Sequence, residues 1–390
     1  MATNYSNISR SGQSNASGST RELFLKLYAG EVLTAFQTRN VMMPIHRVRT
    51  ISKGKSAQFP MTGKFRNASY HTPGNEITPA TTKQAERIVS IDDLLINAQF
   101  IPNIDEAMTH YDIRSIYTQE AGYALAKVAD QNILRTAIKS GLCDKKEVAA
   151  VSGMIQQYDA FDDEDFTDNV FIGGATGAAA NLVQDPKELA QAIIEAKRIL
   201  ENKAVPGDPV VVLPTDLYFN MFKVNGSTPL NDLVIFNRDI GGTGSPLSGN
   251  VPSIMGMPLV VTPHLGSFSG STWTPALFTQ TSSIGDGSAA VTTDAPPISG
   301  ESGRNAQYNV PATSVATGSM GTDNLSDLAV RVVGMVMTQD AVATVKLMDL
   351  SVESEYQIIR QGTLTVSKYA MGHNVLRPAA CVLLLQGSAS

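Results

Sequence analysis

Asp105 to Lys139 reads DEAMTHYDIRSIYTQEAGYALAKVADQNILRTAIK, and this stretch predicts one long helix. It holds no proline and a single glycine, Gly122, and most of its other residues favour helices. Lys139 and Gly141 are typical of a helix C-terminus. Apolar side chains repeat at or near every fourth residue and form one helical face: Tyr111, Tyr117, Ala121, Ala124, Leu125, Val128, Ala129 and Ile133. At about 1.5 Å per residue the helix would be roughly 50 Å long, so we expect it to carry the other elements rather than sit in a bundle.

Composition narrows the classes of protein that this chain can be. It has 390 residues, enough for two or three domains, and 17% of them are charged, below the usual quarter. No apolar run reaches the ~20 residues of a membrane span, and the polar first 20 residues do not predict a signal peptide. Cys143 and Cys381 form no CxxC pair, so we expect reduced thiols. The net charge of −6 argues against nucleic-acid binding as the main task.

Charges of opposite sign are separated along the chain. Residues 32–75 contain no acid and seven bases: Arg39, Arg47, Arg49, Lys53, Lys55, Lys64 and Arg66. Residues 147–186 contain no Lys or Arg, and among their acids are Asp159, Asp162, Asp163, Glu164, Asp165, Asp168 and Asp185. The two regions could dock one copy of the chain onto another, or both could be solvated faces.

The remaining pattern predicts an α+β protein with a discontinuous first domain. Residues 51–90 alternate apolar and polar side chains around the turn at Pro73-Gly74, which predicts a long two-stranded hairpin. Such a ribbon is marginal alone and needs a surface to lie on. Asp185-Pro186 is typical of a helix start, and 210–213 is typical of a buried strand. Glycine- and serine-rich stretches at 241–250 and 266–327 are expected to be loops.

The motifs of common enzymes are incomplete here. Gly54-Lys55-Ser56 resembles the end of a phosphate-binding loop, but Arg49 stands where that motif needs glycine. The acidic cluster at Asp162–Asp168 resembles a calcium-binding loop in charge only, because it lacks the mid-loop glycine and has Phe166 at a ligand position. The five histidines show no metal-ligand spacing, and no G-x-S-x-G elbow occurs. We therefore expect no catalytic residue, no metal site and no cofactor.

Five stretches, in order along the chain, resemble the major capsid proteins of T7-like short-tailed (podovirus) bacteriophages. They are Leu23–Lys26 with Gly30–Phe36, Ile51–Pro60, Asp105–Met108 with His110–Asp112 and Arg114-Ser115, Met255-Gly256 with Pro263–Leu265, and Lys368–His373 with Leu376–Pro378. Residues 266–327 depart from the family pattern and are longer here.

That resemblance implies the HK97-like capsid fold. Residues 1–44 would be the N-terminal arm, and 45–100 the extended loop (E-loop) with its flanks. Residues 101–150 with 338–390 would form the peripheral P-domain, whose spine helix is 105–139. Residues 151–337 would form the axial A-domain.

The resemblance also implies a self-assembling protein of the virion capsid. Its copies would form hexamers and pentamers of a T=7 icosahedral shell, through a procapsid, in the host bacterial cytoplasm. The implied partners are a separate scaffolding protein, a portal protein at one vertex and packaged double-stranded DNA held by weak non-specific contacts, with a decoration protein as a further candidate. A membrane is not among them. Alternatives are a phage decoration or tail protein, or an α/β enzyme using the insert at 151–337.

We predict that the basic ribbon docks on a neighbouring copy. The bases would be Arg47, Arg49, Lys53, Lys55, Lys64 and Arg66, with apolar contact from Phe59 and Tyr70. The candidate acceptor is the acidic cluster, which contains Asp162, Asp163, Glu164 and Asp165.

Overall fold

We analysed a computed structural model of the chain. It describes residues 41–62, 68, 70–77, 84–92, 94–108, 113–143, 166, 168–172, 183–221, 253–270, 272–279, 292–293, 308, 310 and 325–387. Most of the predicted N-terminal arm and the predicted loop at 241–250 lie outside these residues.

The stretch that predicted one helix contains two described helices, α1 (Asn103–Met108) and α2 (Ile113–Leu142). Residues 109–112 between them lie outside the described part. α2 ends three residues beyond the predicted end at Lys139, so the predicted stop at Gly141 is wrong. Gly141 lies inside the helix because it packs there: a Cβ on it would lie 2.5 Å from Cγ of Leu383.

A four-stranded sheet unites the two ends of the described chain. Its order is β1-β14-β15-β4, and its strands are β1 (Arg47–Thr50), β4 (Leu95–Pro102), β14 (Val342–Gln357) and β15 (Gly362–Val375). β1 runs parallel to β14, while β15 is antiparallel to both of its neighbours. Leu125 and Ala129 of α2 pack against Tyr369 and Met371 of β15, so the long helix lies on this sheet.

A six-stranded sheet forms the centre of the main core. Its order is β5-β16-β13-β6-β8-β7, and its strands are β5 (Val170–Ile172), β6 (Val210–Pro214), β7 (Ser253–Ile254), β8 (Met257–Thr262), β13 (Val332–Met337) and β16 (Cys381–Gln386). The family resemblance groups the last strand with residues 101–150, yet β16 pairs with β13 and β5. Residues 381–385 are buried throughout, and such an apolar run is stable only inside a sheet that is covered on both faces.

Helices and small hairpins complete the described fold. α3 (Pro186–Asn202) starts as predicted, because the Asp185 carboxylate accepts a hydrogen bond from the Lys187 backbone N–H at 3.0 Å. α4 (Thr215–Asn220) follows β6, and α5 is Leu325–Val330. Two further hairpins are β9 (Gly266–Ser269) with β10 (Thr272–Pro275), and β11 (Phe278–Thr279) with β12 (Thr292–Thr293). The region predicted as a loop at 266–327 therefore contains strands, and Trp273 within it is buried against Phe268.

Candidate assembly surfaces

The predicted ribbon is a regular antiparallel hairpin. It consists of β2 (Ser56–Thr62) and β3 (Gln84–Ser90), paired from Ser56 opposite Ser90 to Thr62 opposite Gln84. Ala57 and Val89 at the root are buried. Tyr70 and Ile77, in the segment that connects the strands, are 105% and 74% exposed. The hairpin thus has a buried root and an exposed distal part.

The root rests on the chain's own four-stranded sheet. Ala57, Val89 and Ile91 share an apolar cluster with side chains of β14 and β15: Ala343, Val345 and Ala370. The Asn374 side-chain amide donates to the Ile88 carbonyl at 3.0 Å. Where the chain leaves β3, the Asp92 N–H donates to the Met371 carbonyl at 3.1 Å. The hairpin is therefore supported at its base by the same molecule.

Two of the predicted basic contact residues already have partners within the chain. Arg47 forms an ion pair of 2.6 Å with Asp340, although its side chain is 56% exposed. Arg49 donates to the Gln58 carbonyl at 2.7 Å, and its guanidinium lies 5.9 Å from the centroid of the Phe59 ring. Both arginines therefore help to hold β1 against its neighbours.

The other predicted site residues divide into exposed ones and ones outside the described part. Lys53 and Lys55 are exposed beside the hairpin root, and Tyr70 is exposed at the far end. Phe59 is half-buried against the root cluster. Lys64 and Arg66, and the whole predicted acceptor with Asp162, Asp163, Glu164 and Asp165, lie outside the described residues. The contact between the two charged regions stays a prediction.

The segment before β1 is tied to the long helix by a buried carboxylate. Asp130 of α2 accepts backbone N–H bonds from Val41 at 2.9 Å and Met42 at 3.2 Å. Burial raises the pKa of Asp130 to about 6, even though the two bonds lower it. The sequence did not predict this contact, because Asp130 is separated from its two partners by about 90 residues.

A second buried polar chain joins this segment to the sheet. His46 Nδ1 lies 2.8 Å from the Met42 carbonyl, and its Nε2 lies 2.5 Å from the Thr344 hydroxyl. The same hydroxyl lies 2.8 Å from Nδ1 of His373. Burial lowers the pKa of His46 to about 4 and that of His373 to about 3, so both rings are neutral at pH 7. Both histidines therefore have a structural role, since they join the segment before β1 to the sheet.

An exposed apolar tip at the far end of the four-stranded sheet was missed. Ile358 and Ile359, in the connection between β14 and β15, are 72% and 98% exposed. The tip is braced by hydrogen bonds, because the Asn103 N–H donates to the Gln361 carbonyl at 3.0 Å and the Asn103 side chain donates to the Tyr356 hydroxyl at 3.2 Å. Adjacent isoleucines between two strand patterns were the available signal.

Within the described residues, no group of three or more His, Cys, Asp or Glu side chains could hold a metal ion. None of the described helices is long and apolar enough to cross a membrane.

Comparisons with known proteins point to one family. Residues 58–329 and 290–385 match the family described as Gp10A-like: Major capsid protein. The chain is 31% identical to the major capsid protein of Enterobacteria phage T3 over 380 residues, which cover 95% of this chain and 93% of that protein. It is also 31% identical to the major capsid protein of Escherichia phage T7 over 379 residues, covering 94% and 92%.

Solved structures that are similar to this chain are also phage capsids. The capsid structure of the cyanophage P-SCSP1u matches with a TM-score of 0.65 and 27% identity, covering 98% of this chain and 99% of that chain. The mature capsid of bacteriophage PhiM1 matches with a TM-score of 0.59 over 97% and 96% of the two chains. At 13% identity this second likeness shows the fold alone.

Proposed function

The chain belongs to the Gp10A-like family of major capsid proteins, and on that premise we propose that its copies form hexamers and pentamers that close into an icosahedral shell around double-stranded DNA. Its fold is the HK97-like capsid fold that the sequence resemblance implied, since nearly the whole chain superposes on solved phage capsid proteins. The observation that carries the proposal is the 31% identity to the T3 and T7 major capsid proteins along almost the full chain. The protein is thus a structural component of a virion capsid.

Contact between neighbouring copies would run through the β2–β3 hairpin. The root of the hairpin packs on the four-stranded sheet of the same molecule, while the side chains of Tyr70 and Ile77 are exposed. An extended apolar segment of this kind is stabilised when a second molecule covers it. Lys53 and Lys55 are exposed and would add electrostatic attraction to an acidic surface, whereas Arg47 and Arg49 are engaged within their own chain. Lys64 and Arg66 complete the proposed basic surface, and Asp162, Asp163, Glu164 and Asp165 its acceptor.

We also propose a division into domains that is consistent with the same assembly. We propose an N-terminal arm at 1–44, an E-loop with its flanks at 45–100, a P-domain at 101–150 with 338–390, and an A-domain at 151–337. The four-stranded sheet with α2 would be the body of the P-domain. Because β16 lies within the six-stranded sheet, the proposed P-domain and A-domain share that sheet.

Further partners are proposed from the family. A separate scaffolding protein would guide a procapsid, a portal protein would occupy one vertex of a T=7 shell, and a decoration protein is a further candidate. The net charge of −6 fits weak contact with packaged DNA, because few phosphates could be neutralised. Assembly would take place in the cytoplasm of the host bacterium.

Electron microscopy of the protein expressed with and without its scaffolding protein tests the function. Closed icosahedral shells are expected with scaffolding protein present. Tubes would instead favour a tail protein, and an absence of particles combined with cofactor binding by the monomer would favour the enzyme alternative.

Charge reversal tests the hairpin contact. We expect Lys53→Glu/Lys55→Glu to lower the yield of closed shells, because like charges would then face each other across the contact. Lys53→Arg/Lys55→Arg keeps both charges and is the matched control, with normal shells expected. Normal assembly of the charge-reversed variant would contradict the proposed contact.

A further inference from the structure

Tyr308 is a buried residue that packs against the four-stranded sheet. It lies between β12 and α5 in the sequence, and only 1% of its surface is exposed. Its ring lies 5.9 Å from the His373 ring, centroid to centroid, against the four-stranded sheet. A residue from the segment between β12 and α5 therefore reaches the sheet that supports the hairpin.

The Tyr308 hydroxyl makes two directed hydrogen bonds there. It donates to Oδ2 of Asp92 at 2.5 Å and accepts from the His373 backbone N–H at 3.3 Å. A hydroxyl has one donor hydrogen and can accept as well, so this arrangement uses both capacities. Bonds to a carboxylate are among the stronger hydrogen bonds in proteins.

Asp92 stands at the exit of the hairpin. β3 ends at Ser90, and β4 begins at Leu95. Asp92 is itself attached to β15, because its N–H donates to the Met371 carbonyl. Tyr308 therefore bonds both the turn that leaves the hairpin and the strand beneath that turn.

We propose that Tyr308 is a positioning residue that sets the direction in which the β2–β3 hairpin leaves the four-stranded sheet, by bonding Asp92 and β15 together. The proposal rests on the proposed function in one respect: the direction of the hairpin matters because its distal part contacts a neighbouring copy.

A small change in the angle between the hairpin and the four-stranded sheet produces a large displacement at the far end of the hairpin. A seven-residue strand at about 3.3 Å per residue is about 23 Å long, so a 10° rotation at the root would move its far end by about 4 Å. A displacement of that size exceeds the tolerance of close-packed side chains at an interface. A single bond pair at the root can therefore influence contact at the far end.

Distances between spin labels in the full-length, unassembled protein test the proposal. Both native cysteines are buried, so labels would attach to new exposed cysteines at Asn75→Cys in the hairpin connection and Gln191→Cys on α3. Tyr308→Phe keeps the ring and removes the hydroxyl. We expect the distance distribution to shift or broaden by at least about 4 Å. Tyr356→Phe, which removes a bonded hydroxyl at the other end of the same sheet, is the control and should leave the distribution unchanged.

Variants of Asp92 separate bonding from space-filling. Asp92→Asn keeps an oxygen that can accept from Tyr308, so it should retain the wild-type distribution, whereas Asp92→Ala should resemble Tyr308→Phe. The double variant Tyr308→Phe/Asp92→Ala should be no worse than either single one, because both remove the same bond. An unchanged distribution in Tyr308→Phe and Asp92→Ala would overturn the proposal and leave Tyr308 as a core-filling residue.

Shell assembly by the same variants distinguishes this inference from the proposed function. A broadened distribution with fewer closed shells supports both. A broadened distribution with normal shells supports the positioning role of Tyr308 and contradicts the hairpin's role in assembly.

Discussion

Gly372 of β15 lies directly beneath the backbone of Ser90, so close that a Cβ on Gly372 would be 1.9 Å from the Ser90 carbonyl oxygen. The same added atom would lie 2.9 Å from Cα of Ile91. Because the obstructing atoms belong to the backbone, no side-chain rotation could relieve the clash. The end of the hairpin and the sheet thus approach each other where the sheet has no side chain.

Gly372→Ala is therefore expected to lift the hairpin root from the sheet. Overpacking of this kind costs about 1–3 kcal/mol, and here the cost includes the cluster formed by Ala57 and Val89 with β14 and β15. Urea unfolding measures the loss of stability, and hydrogen exchange at Ile91 and Asp92 measures the loosening of the root. Ser354→Ala, at an exposed position on β14, is the control. Wild-type exchange at both amides in Gly372→Ala would show that the contact is not needed.

Gly141 and Leu383 form a second close approach, between α2 and β16. Ala favours helices over Gly by about 1 kcal/mol, yet we expect Gly141→Ala to destabilise the protein, because the new methyl group would overlap the Leu383 side chain. Leu383→Ala should also destabilise it, by about 2–5 kcal/mol through the cavity that it leaves. The double variant Gly141→Ala/Leu383→Ala should lose less than the sum of the two single losses. Additive losses in urea unfolding would mean that the two residues are not coupled.

Acid should destabilise the folded chain through His46 and His373. Their folded pKa values, about 4 and about 3, lie below the usual 6.5, so the unfolded chain binds more protons as the pH falls below about 6.5. Above about pH 6.5 the free energy of unfolding should therefore keep the full contribution of both histidines. Below that pH it should fall, by up to about 1.4 kcal/mol per pH unit for each histidine. Urea unfolding at pH 8, 6.5 and 5 measures the slope. Ser354→Ala, at an exposed position that carries no titratable group, should leave the slope unchanged.

Asp130 should have the opposite effect on stability, because its protonation favours the folded chain as the pH falls. Its folded pKa of about 6 lies above its usual 3.8, so between about pH 6 and pH 4 the folded chain takes up a proton that the unfolded chain does not. This uptake offsets part of the histidine effect. We expect Asp130→Asn to make the loss of stability between pH 6 and pH 4 steeper than in the wild type. An equal or shallower slope would show that Asp130 is ionised throughout that range.

Asp130→Asn should also loosen the segment before β1 at neutral pH. Asparagine has a single side-chain oxygen and would turn an N–H group toward one of the donors, Val41 N–H or Met42 N–H. Leaving a buried donor without its acceptor costs about 1–3 kcal/mol. Limited proteolysis should cut faster near residues 41–46, with cleavage elsewhere unchanged. Unaltered cleavage near these residues would contradict the anchoring role.

Local patterns in the sequence predicted the elements whose causes are local. Asp185 and Pro186 start a helix through contacts within one turn, and the structure has that start. The alternation on both sides of Pro73-Gly74 predicted the β2–β3 hairpin, because a strand with one covered face repeats every two residues. The resemblance of five stretches to the capsid-protein family predicted the HK97-like fold. The tip with Ile358 and Ile359 was missed because an apolar pair by itself does not show whether it is buried.

The sequence by itself determined the helical and strand periods, the charge separation and the family likeness, because each depends on residue type and spacing along the chain. Three features were decided by the tertiary structure. β16 lies in the six-stranded sheet, the Ser90 backbone packs directly on Gly372, and His46 is hydrogen-bonded to Thr344, 298 residues away in the sequence. Helix and strand preferences act over a few residues, whereas these contacts arise only when the topology brings distant segments together and burial then removes their water.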